Sequence, residues 1–343
     1  MFADGPTTNS MIIAMPAHPP LSHRHVVSSG HQIHCVEVAG ATSVDRPLVI
    51  LIHGFPESWY SWRHQLEPMA KAGFRPLAID VRGYGRSDAP ADIEAYAMTA
   101  LVGDVIAIID DADVDQAIVI GHDWGAPIAW NTALLRPDRV KGVAALSVPY
   151  NPRGDIKPLD GFRAFSGENL FYIDYFQEPG VVEAEVNLDL AGWLRGFYFS
   201  ASAEVDPDGP SMAFVAPGGR LRDVLQQPAE GQMAWLSDDE FAFYLAEFER
   251  TGLTGGFNRY RNITRDWHQL AAWRFAPITV PSLFIGGDKD GPTILGAKAI
   301  SRFDSSLPNL VGSHILENCG HWVQQEKPDE TNRLLVEFIA GLG

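Results

Sequence analysis

The chain is poor in the residues that would staple it, anchor it in a membrane or fit it to nucleic acid. Its 343 residues include only two cysteines, Cys35 and Cys319, far apart and without a CxxC or Cys/His spacing. That excludes a disulfide framework and a structural zinc site, and it points to a reducing compartment. Basic residues are scarce: 26 Lys and Arg stand against 43 Asp and Glu, a formal net charge of −17. Such a surface repels a phosphate backbone, so nucleic acid is excluded as a partner. No apolar run approaches the roughly 18 to 20 residues of a membrane span. The N-terminus carries no Lys or Arg before Arg24 and so lacks the charged start of a secretory signal. A cytoplasmic protein without a membrane span is expected.

What is present is a core-forming composition, 46 % hydrophobic and 10 % aromatic, at a length that favours one large domain or a core with an insertion. Residues 1–22, rich in Pro and Thr without periodicity, are expected to form an N-terminal tail. The chain then reads as the strands HRHVVSS, HQIHCVEVAG and LVILIHG, the last a buried central strand. A helix from Trp59 to Ala72, the strand FRPLAID, the helix AYAMTALVGDVIAIIDDA and the strand QAIVIGHD follow, then the helix WGAPIAWNTALLRP and the strand RVKGVAALSVP. This alternation predicts an α/β fold with a mostly parallel, doubly wound sheet whose ligands gather at the carboxyl ends of the strands.

Residues 149–272 break the pattern. Aromatic helical pieces such as LFYIDYF and EFAFYLAEFERTG flank a Gly/Pro-rich stretch, 201–232, in which no pattern is legible. They are expected to form a helical cap over the strand ends. Alternation resumes with the strand VPSLFIGG, a helix over GPTILGAKAISRF, a short strand near SHILENCG and the helix DETNRLLVEFIAGL. The core, 23–148 and 273–343, is therefore expected to be discontinuous in sequence.

The sharpest motif is VIGHDWGAP, in which a strand runs into a helix and Asp123 lies between Gly121 and Gly125. A tight strand-to-helix turn lifts its central side chain above the sheet and needs small residues on either side. A carboxylate there is ionised at neutral pH and can attack saturated carbon, leaving an ester that water must cleave. Taken alone, Asp123 also fits the role of a helix cap. The loop HGFPESW leaves a central strand toward the same edge, where the backbone N–H groups of Phe55 and Trp124 can hold an oxyanion. His321, in NCGHWVQQ, follows the last strand behind a glycine, where an imidazole can activate water. Of the two acids in GGDKDGP, Asp290 is preferred to Asp288 as its partner because it lies further past the strand end. The chain order Asp123, Asp290, His321 is that of nucleophile, acid and base in α/β-hydrolases. Tyr172 and Tyr175 in FYIDYFQEPG and Tyr260 in GGFNRYRN lie among aromatic residues that ordinarily pack a lid. Two phenols aimed at one oxygen would also suit a leaving group departing as an alkoxide.

HGFPESWYSWR, AIDVRGYGRSDAP, IGHDWGAP, YFQEPGV, GGFNRYRN and CGHW occur in the same order in the soluble epoxide hydrolases of the α/β-hydrolase superfamily, which the chain resembles from about His31 to Leu342. The resemblance implies an α/β-hydrolase fold with an eight-stranded sheet and a helical cap inserted after strand six. It implies Asp123 as nucleophile, His321 as water-activating base with Asp290 as its partner, and an oxyanion hole from Phe55 and Trp124. Tyr172 and Tyr260 correspond to the ring-opening tyrosines, which leaves Tyr175 structural. His53, Pro56, Trp59, Phe176 and Trp322 are expected to line the substrate site. The implied reaction adds water to a small-molecule epoxide to give a vicinal diol through an ester on Asp123, with no metal and no cofactor. The oligomeric state, monomer or homodimer, is left open. No counterpart of the phosphatase-like domain of the mammalian enzymes is present, so the chain resembles the stand-alone type. Asp123 and Trp124 also resemble those of haloalkane dehalogenases, but Phe55 offers no second halide donor from its side chain. A haloalkane or haloacid dehalogenase is thus the alternative reading, and a non-catalytic ligand-binding protein on a hydrolase scaffold the more remote one.

Overall fold

The structure is a computed structural model and describes residues 20–229 and 232–343. Among the described residues ten strands occur in chain order: β1 (Leu21–Ser28), β2 (His31–Val38), β3 (Leu48–Ile52), β4 (Arg75–Ile79), β5 (Ala117–His122), β6 (Val140–Leu146), β7 (Leu170–Phe171), β8 (Phe214–Val215), β9 (Ser282–Gly287) and β10 (Leu310–Leu316). Every residue of β3, β4, β5 and β9 is buried, as strands covered on both faces must be. Eight strands form one sheet in the order β1-β2-β4-β3-β5-β6-β9-β10. The β1–β2 and β2–β4 pairs are antiparallel and all later pairs are parallel. The expected mostly parallel, eight-stranded sheet is present. β1 already includes Leu21 and Ser22, within the expected tail, whose residues 1–19 lie outside the described residues.

Register brings the strand ends level. Ile52 pairs with Gly121, His122 with Leu146, Leu146 with Ile285, and Gly287 with Leu316. The residues that leave β3, β5, β6, β9 and β10 therefore emerge along one edge, beside the point where the chain crosses from β3 to neighbours on either side.

Helices α1 (Arg63–Lys71), α2 (Met98–Asp111) and α3 (Gly125–Leu135) cover the sheet in the first half. The helix expected from Trp59 starts as a 3-10 turn, Trp59–Trp62, where Ser58 accepts the Tyr60 N–H and so favours a tight first turn. Between β6 and β9 the chain is mainly helical: α4 (Pro158–Ser166), α5 (Tyr172–Tyr175), α6 (Val181–Val186), α7 (Leu190–Ala201), α8 (Asp238–Thr251), α9 (Thr254–Arg261) and α10 (Ile263–Gln269). LFYIDYF is only partly helical, because Leu170 and Phe171 pair with Phe214 and Val215 before α5 begins. The stretch without a legible pattern thus holds β8 and a 3-10 turn at Leu221–Asp223. α8 starts on a capping box between Ser237 and Glu240, with Asp238 and Asp239 in its first turn.

The helix expected over GPTILGAKAISRF is instead three short pieces, α11 (Gly291–Leu295), α12 (Ala297–Ile300) and α13 (Phe303–Ser306). Its apolar residues share no single buried face: Ile294 and Leu295 are 56 % and 54 % exposed, whereas Thr293 and Phe303 are buried. The chain ends with α14 (Val323–Glu326) and α15 (Pro328–Ala340), whose Leu334, Leu335, Phe338 and Ile339 face the core. Apolar side chains of the β6–β9 insertion belong to the same buried cluster as those of the sheet. No helix among the described residues is long and apolar enough to cross a membrane.

Candidate active site

β5 ends at His122 and the chain turns at once into α3. Asp123 occupies the turn with φ of 49°, a left-handed conformation that costs a non-glycine residue on the order of 1 kcal/mol. The turn is also crowded: a Cβ on Gly121 would lie 2.0 Å from the Gly125 carbonyl oxygen, and one on Gly125 would lie 2.0 Å from that of Ile52. Only glycines allow this approach, and the result is a carboxylate raised over the strand ends. Its Oδ1 accepts the Phe55 N–H at 2.7 Å, and its Oδ2 faces His321 Nε2 at 3.4 Å. The N-cap position of α3 is Trp124, so the Asp123 side chain is directed to Phe55 and His321 and not to capping. The Trp124 N–H belongs to the first turn of α3, where helix N–H groups have no partner within the helix.

His321 sits on the loop after β10. Its N–H donates to the Ala201 carbonyl at 2.9 Å. The Glu326 carboxylate accepts the N–H groups of Gly320, Trp322 and Ala203, each at 3.0 Å, which ties the loop to the end of α7. Asp290, leaving β9, places Oδ1 2.9 Å from His321 Nδ1, while its Oδ2 lies 2.6 Å from the Thr293 hydroxyl. Asp288 turns elsewhere and accepts the Cys319 N–H at 3.1 Å. A second group, the Ser147 hydroxyl, reaches His321 Nδ1 at 3.0 Å.

Charge fixes the protonation of this array. Burial on its own would lower the His321 pKa, but the Asp290 charge, then hydrogen bonds with Asp123 and Asp290, carry it well above the ordinary imidazole value. Burial would raise the Asp123 carboxyl, yet the hydrogen bond and charge of His321, the charge of His122 and the Phe55 N–H hold it below the usual carboxylate value. The resting pair is an imidazolium against a carboxylate.

Tyr260 on α9 and Tyr172 at the start of α5 come from the insertion, their rings 6.1 Å apart. Tyr260 meets Trp124 edge-on at 5.0 Å and Phe55 at 5.3 Å, which seats it directly over the turn that carries Asp123. Burial first, then the Asp123 charge, raise both phenols, so each keeps its proton in the working range. The Tyr175 hydroxyl instead donates to Glu185 at 2.6 Å.

Of the residues expected to line the substrate site, Phe176 packs against Tyr260, Tyr172 and Phe55 with ring centroids 5.0, 5.7 and 5.9 Å away. Pro56 follows Phe55 through a cis peptide, and its carbonyl accepts the Tyr198 hydroxyl at 2.6 Å. The other three make their contacts elsewhere, though the Trp322 ring meets that of His321 edge-on at 4.7 Å. His53 lies fully buried between backbone partners, accepting the Val81 N–H at Nε2 and donating from Nδ1 to the Gly54 carbonyl, and so braces its loop. Trp59 is wedged among His23, Tyr60 and Phe243, and Trp322 donates its indole N–H to the Tyr198 carbonyl.

Sequence reading missed the layer behind these groups. His122 bonds Glu57 Oε2 at 2.8 Å and the His321 carbonyl at 2.7 Å, and Glu57 Oε1 accepts Gln325 Nε2 at 3.0 Å. Adjacency was the available signal, since Glu57 follows Pro56 and His122 precedes Asp123. Arg259, beside Tyr260, stacks its guanidinium over the Trp124 ring at 4.6 Å. Among the described residues, no group of three or more His, Cys, Asp or Glu side chains is arranged to hold a metal ion.

The arrangement can therefore form an ester at a raised carboxylate, deliver a proton from a phenol and then activate water. Residues 47–328 match the family described as the alpha/beta hydrolase fold. Epoxide hydrolase B of Mycobacterium tuberculosis is 42 % identical, over 93 % of this chain and 98 % of the relative. A solved epoxide hydrolase from an endophytic Streptomyces superposes with a TM-score of 0.89 at 51 % identity, covering 94 % of this chain and 96 % of that one. Epoxide hydrolase A of Mycobacterium thermoresistibile superposes with a TM-score of 0.86 at 43 % identity, covering 94 % and 99 %. The chain belongs to the epoxide hydrolases of the α/β-hydrolase fold.

Proposed function

We propose that the protein converts a small-molecule epoxide and water to a vicinal diol through a covalent ester on Asp123. The observation that carries this reading is geometric: the carboxylate of Asp123, lifted on the turn after β5 and facing His321, lies beneath Tyr260, whose ring packs on Trp124 and Phe55 and stands 6.1 Å from that of Tyr172. Tyr172 and Tyr260 hydrogen-bond the ring oxygen while Asp123 attacks a ring carbon from the opposite side. The carbon–oxygen bond that breaks leaves an alkoxide, which takes a phenol proton, so the products of the step are a hydroxyalkyl ester and a phenolate.

Ester formation removes the Asp123 charge that held the proton on His321 Nε2, and that proton passes to the phenolate, which restores the phenol and leaves a neutral imidazole. The imidazole, still oriented through Nδ1 by Asp290, then takes a proton from water as that water attacks the ester carbonyl. Asp123 Oδ1 already accepts the Phe55 N–H, so the same donor, with the Trp124 N–H, supports the oxyanion. Collapse returns the carboxylate and releases the diol, whose departing oxygen takes the remaining proton of the attacking water, and His321 ends as the imidazolium with which the cycle began. The phenol pair has no task in halide release, which favours the epoxide over a haloalkane.

The test combines a variant with an isotope. His321→Gln treated with styrene oxide should accumulate an adduct on the Asp123 peptide by mass spectrometry. In a single wild-type turnover in heavy-oxygen water, the diol should carry unlabelled oxygen and the label should appear in Asp123. Label entering the diol in that first turnover would sink the ester mechanism.

A further inference from the structure

Ser147 is the first residue beyond β6, the strand that lies between the one leading to Asp123 and the one leading to Asp290. It is fully buried, and its φ of 71° puts a side chain in the left-handed region, where glycine would be the easy choice. The backbone is pinned there on both sides. The Ser147 N–H donates to the Ile285 carbonyl at 2.9 Å, and its carbonyl lies 2.9 Å from the Thr293 hydroxyl, which also faces Asp290 Oδ2. What this strained position delivers is one hydroxyl, 3.0 Å from His321 Nδ1 and beside Asp290 Oδ1 at 2.9 Å from the same nitrogen. Strain kept at a site by surrounding bonds is the kind of observation from which function can be inferred.

Resting on the ester reading above, we infer that Ser147 is a positioning residue for His321 in the water-activating step. In the resting site the imidazole is held at both ends, by Asp123 at Nε2 and by Asp290 and Ser147 at Nδ1. Esterification neutralises Asp123, and the Nε2 end is released. The ring then keeps only its Nδ1 partners. The Ser147 oxygen takes a share of the Nδ1–H, which keeps the proton on that nitrogen and the ring in the plane that aims the Nε2 lone pair at water. Thr293 completes the support by bonding the far oxygen of Asp290. The hydroxyl therefore matters to ester hydrolysis and not to ring opening, where the Asp123 carboxylate itself restrains the imidazole.

Ser147→Ala and Ser147→Gly separate the hydroxyl from the strain. Both remove the oxygen, but glycine relieves the left-handed backbone and alanine keeps it strained, so the glycine variant should melt at the higher temperature of the two. Rapid-quench mass spectrometry with styrene oxide reads adduct formation on Asp123 and its decay as separate rate constants. Loss of one hydrogen bond predicts decay about tenfold slower in both variants, with formation within about twofold of the wild type. The pH dependence of decay should shift in both variants, since a partner of the imidazole has gone. Decay unchanged in both, or formation and decay slowed together, overturns the role. If neither wild type nor variants show an adduct on Asp123, the ester reading itself fails and takes this role with it.

Discussion

At the level of single side chains, the resting site holds one cation between two anions, and the chemistry depends on removing one of the anions. His321 lies above its ordinary pKa because the charge of Asp290 and its bonds with Asp123 and Asp290 outweigh burial. Asp123→Asn copies the neutral ester without the alkyl group, so it should move the His321 titration midpoint down, as followed by NMR of the imidazole Cε1–H. A midpoint unchanged from wild type would show that Asp123 has no hold on the imidazole. The signs for stability are opposite. The His321 contribution is present below its unfolded pKa and lost as pH rises through its raised folded value. The Asp123 contribution is present above its unfolded pKa and lost as pH falls through its lowered folded value. The wild-type advantage in stability over Asp123→Asn should thus be greatest between those limits and shrink toward both. Asp123 and His321 were legible because each stands in a local motif at the end of a strand. Ser147 was not, because the pairing of β6 with β9, and not any neighbour in sequence, brings it to His321.

At the level of elements, α9 shows how a helix outside the sheet can be seated precisely enough to carry a phenol. It approaches the core through glycine: a Cβ on Gly255 would lie 2.7 Å from the Gly83 Cα and carbonyl oxygen, both backbone atoms that cannot swing aside. Arg259, one residue before Tyr260, donates to the Tyr96 carbonyl at 2.6 Å, pairs with Asp266 and covers Trp124. Gly255→Ala should therefore push α9 off the core, at a cost of about 1–3 kcal/mol for an overpacked contact. Because Tyr260 moves with the helix, adduct formation on Asp123 should slow in the folded variant, measured by rapid quench beside a denaturant titration. Normal adduct formation in a variant of reduced stability would mean that α9 does not set the position of Tyr260. The GGFNRYRN motif was readable, but its docking was not, since periodicity reports a buried face and not the partner that covers it. The same limit explains α11 to α13, where apolar spacing suggested one helix although Ile294 and Leu295 face outward.

At the level of the whole molecule, the candidate site draws on both parts of a discontinuous chain, and several of the bonds that join them are buried. Arg63 of α1 reaches Glu240 of α8 at 2.7 Å, Tyr244 of the same helix donates to Gln325 at 3.1 Å, and Asp266 of α10 accepts the Met98 N–H at the start of α2 at 2.8 Å. Tyr198 of α7 bonds the Pro56 carbonyl through its hydroxyl and receives the Trp322 indole N–H on its own carbonyl. The break in strand–helix alternation suggested a helical insertion, but these cross-links join residues at least 81 positions apart, 142 in the Tyr198–Pro56 pair. Separating the insertion from the core would strand buried polar groups on both sides, each at about 1–3 kcal/mol. Chains of this length commonly unfold through intermediates, so the expectation is specific: insertion and core should melt in one transition, with calorimetric and van't Hoff enthalpies equal. Loss of turnover should follow the same curve, because the phenols leave with the insertion and the carboxylate stays with the sheet. Two resolved transitions, with activity lost in the first, would instead make the insertion an independently folding lid whose opening precedes collapse of the sheet.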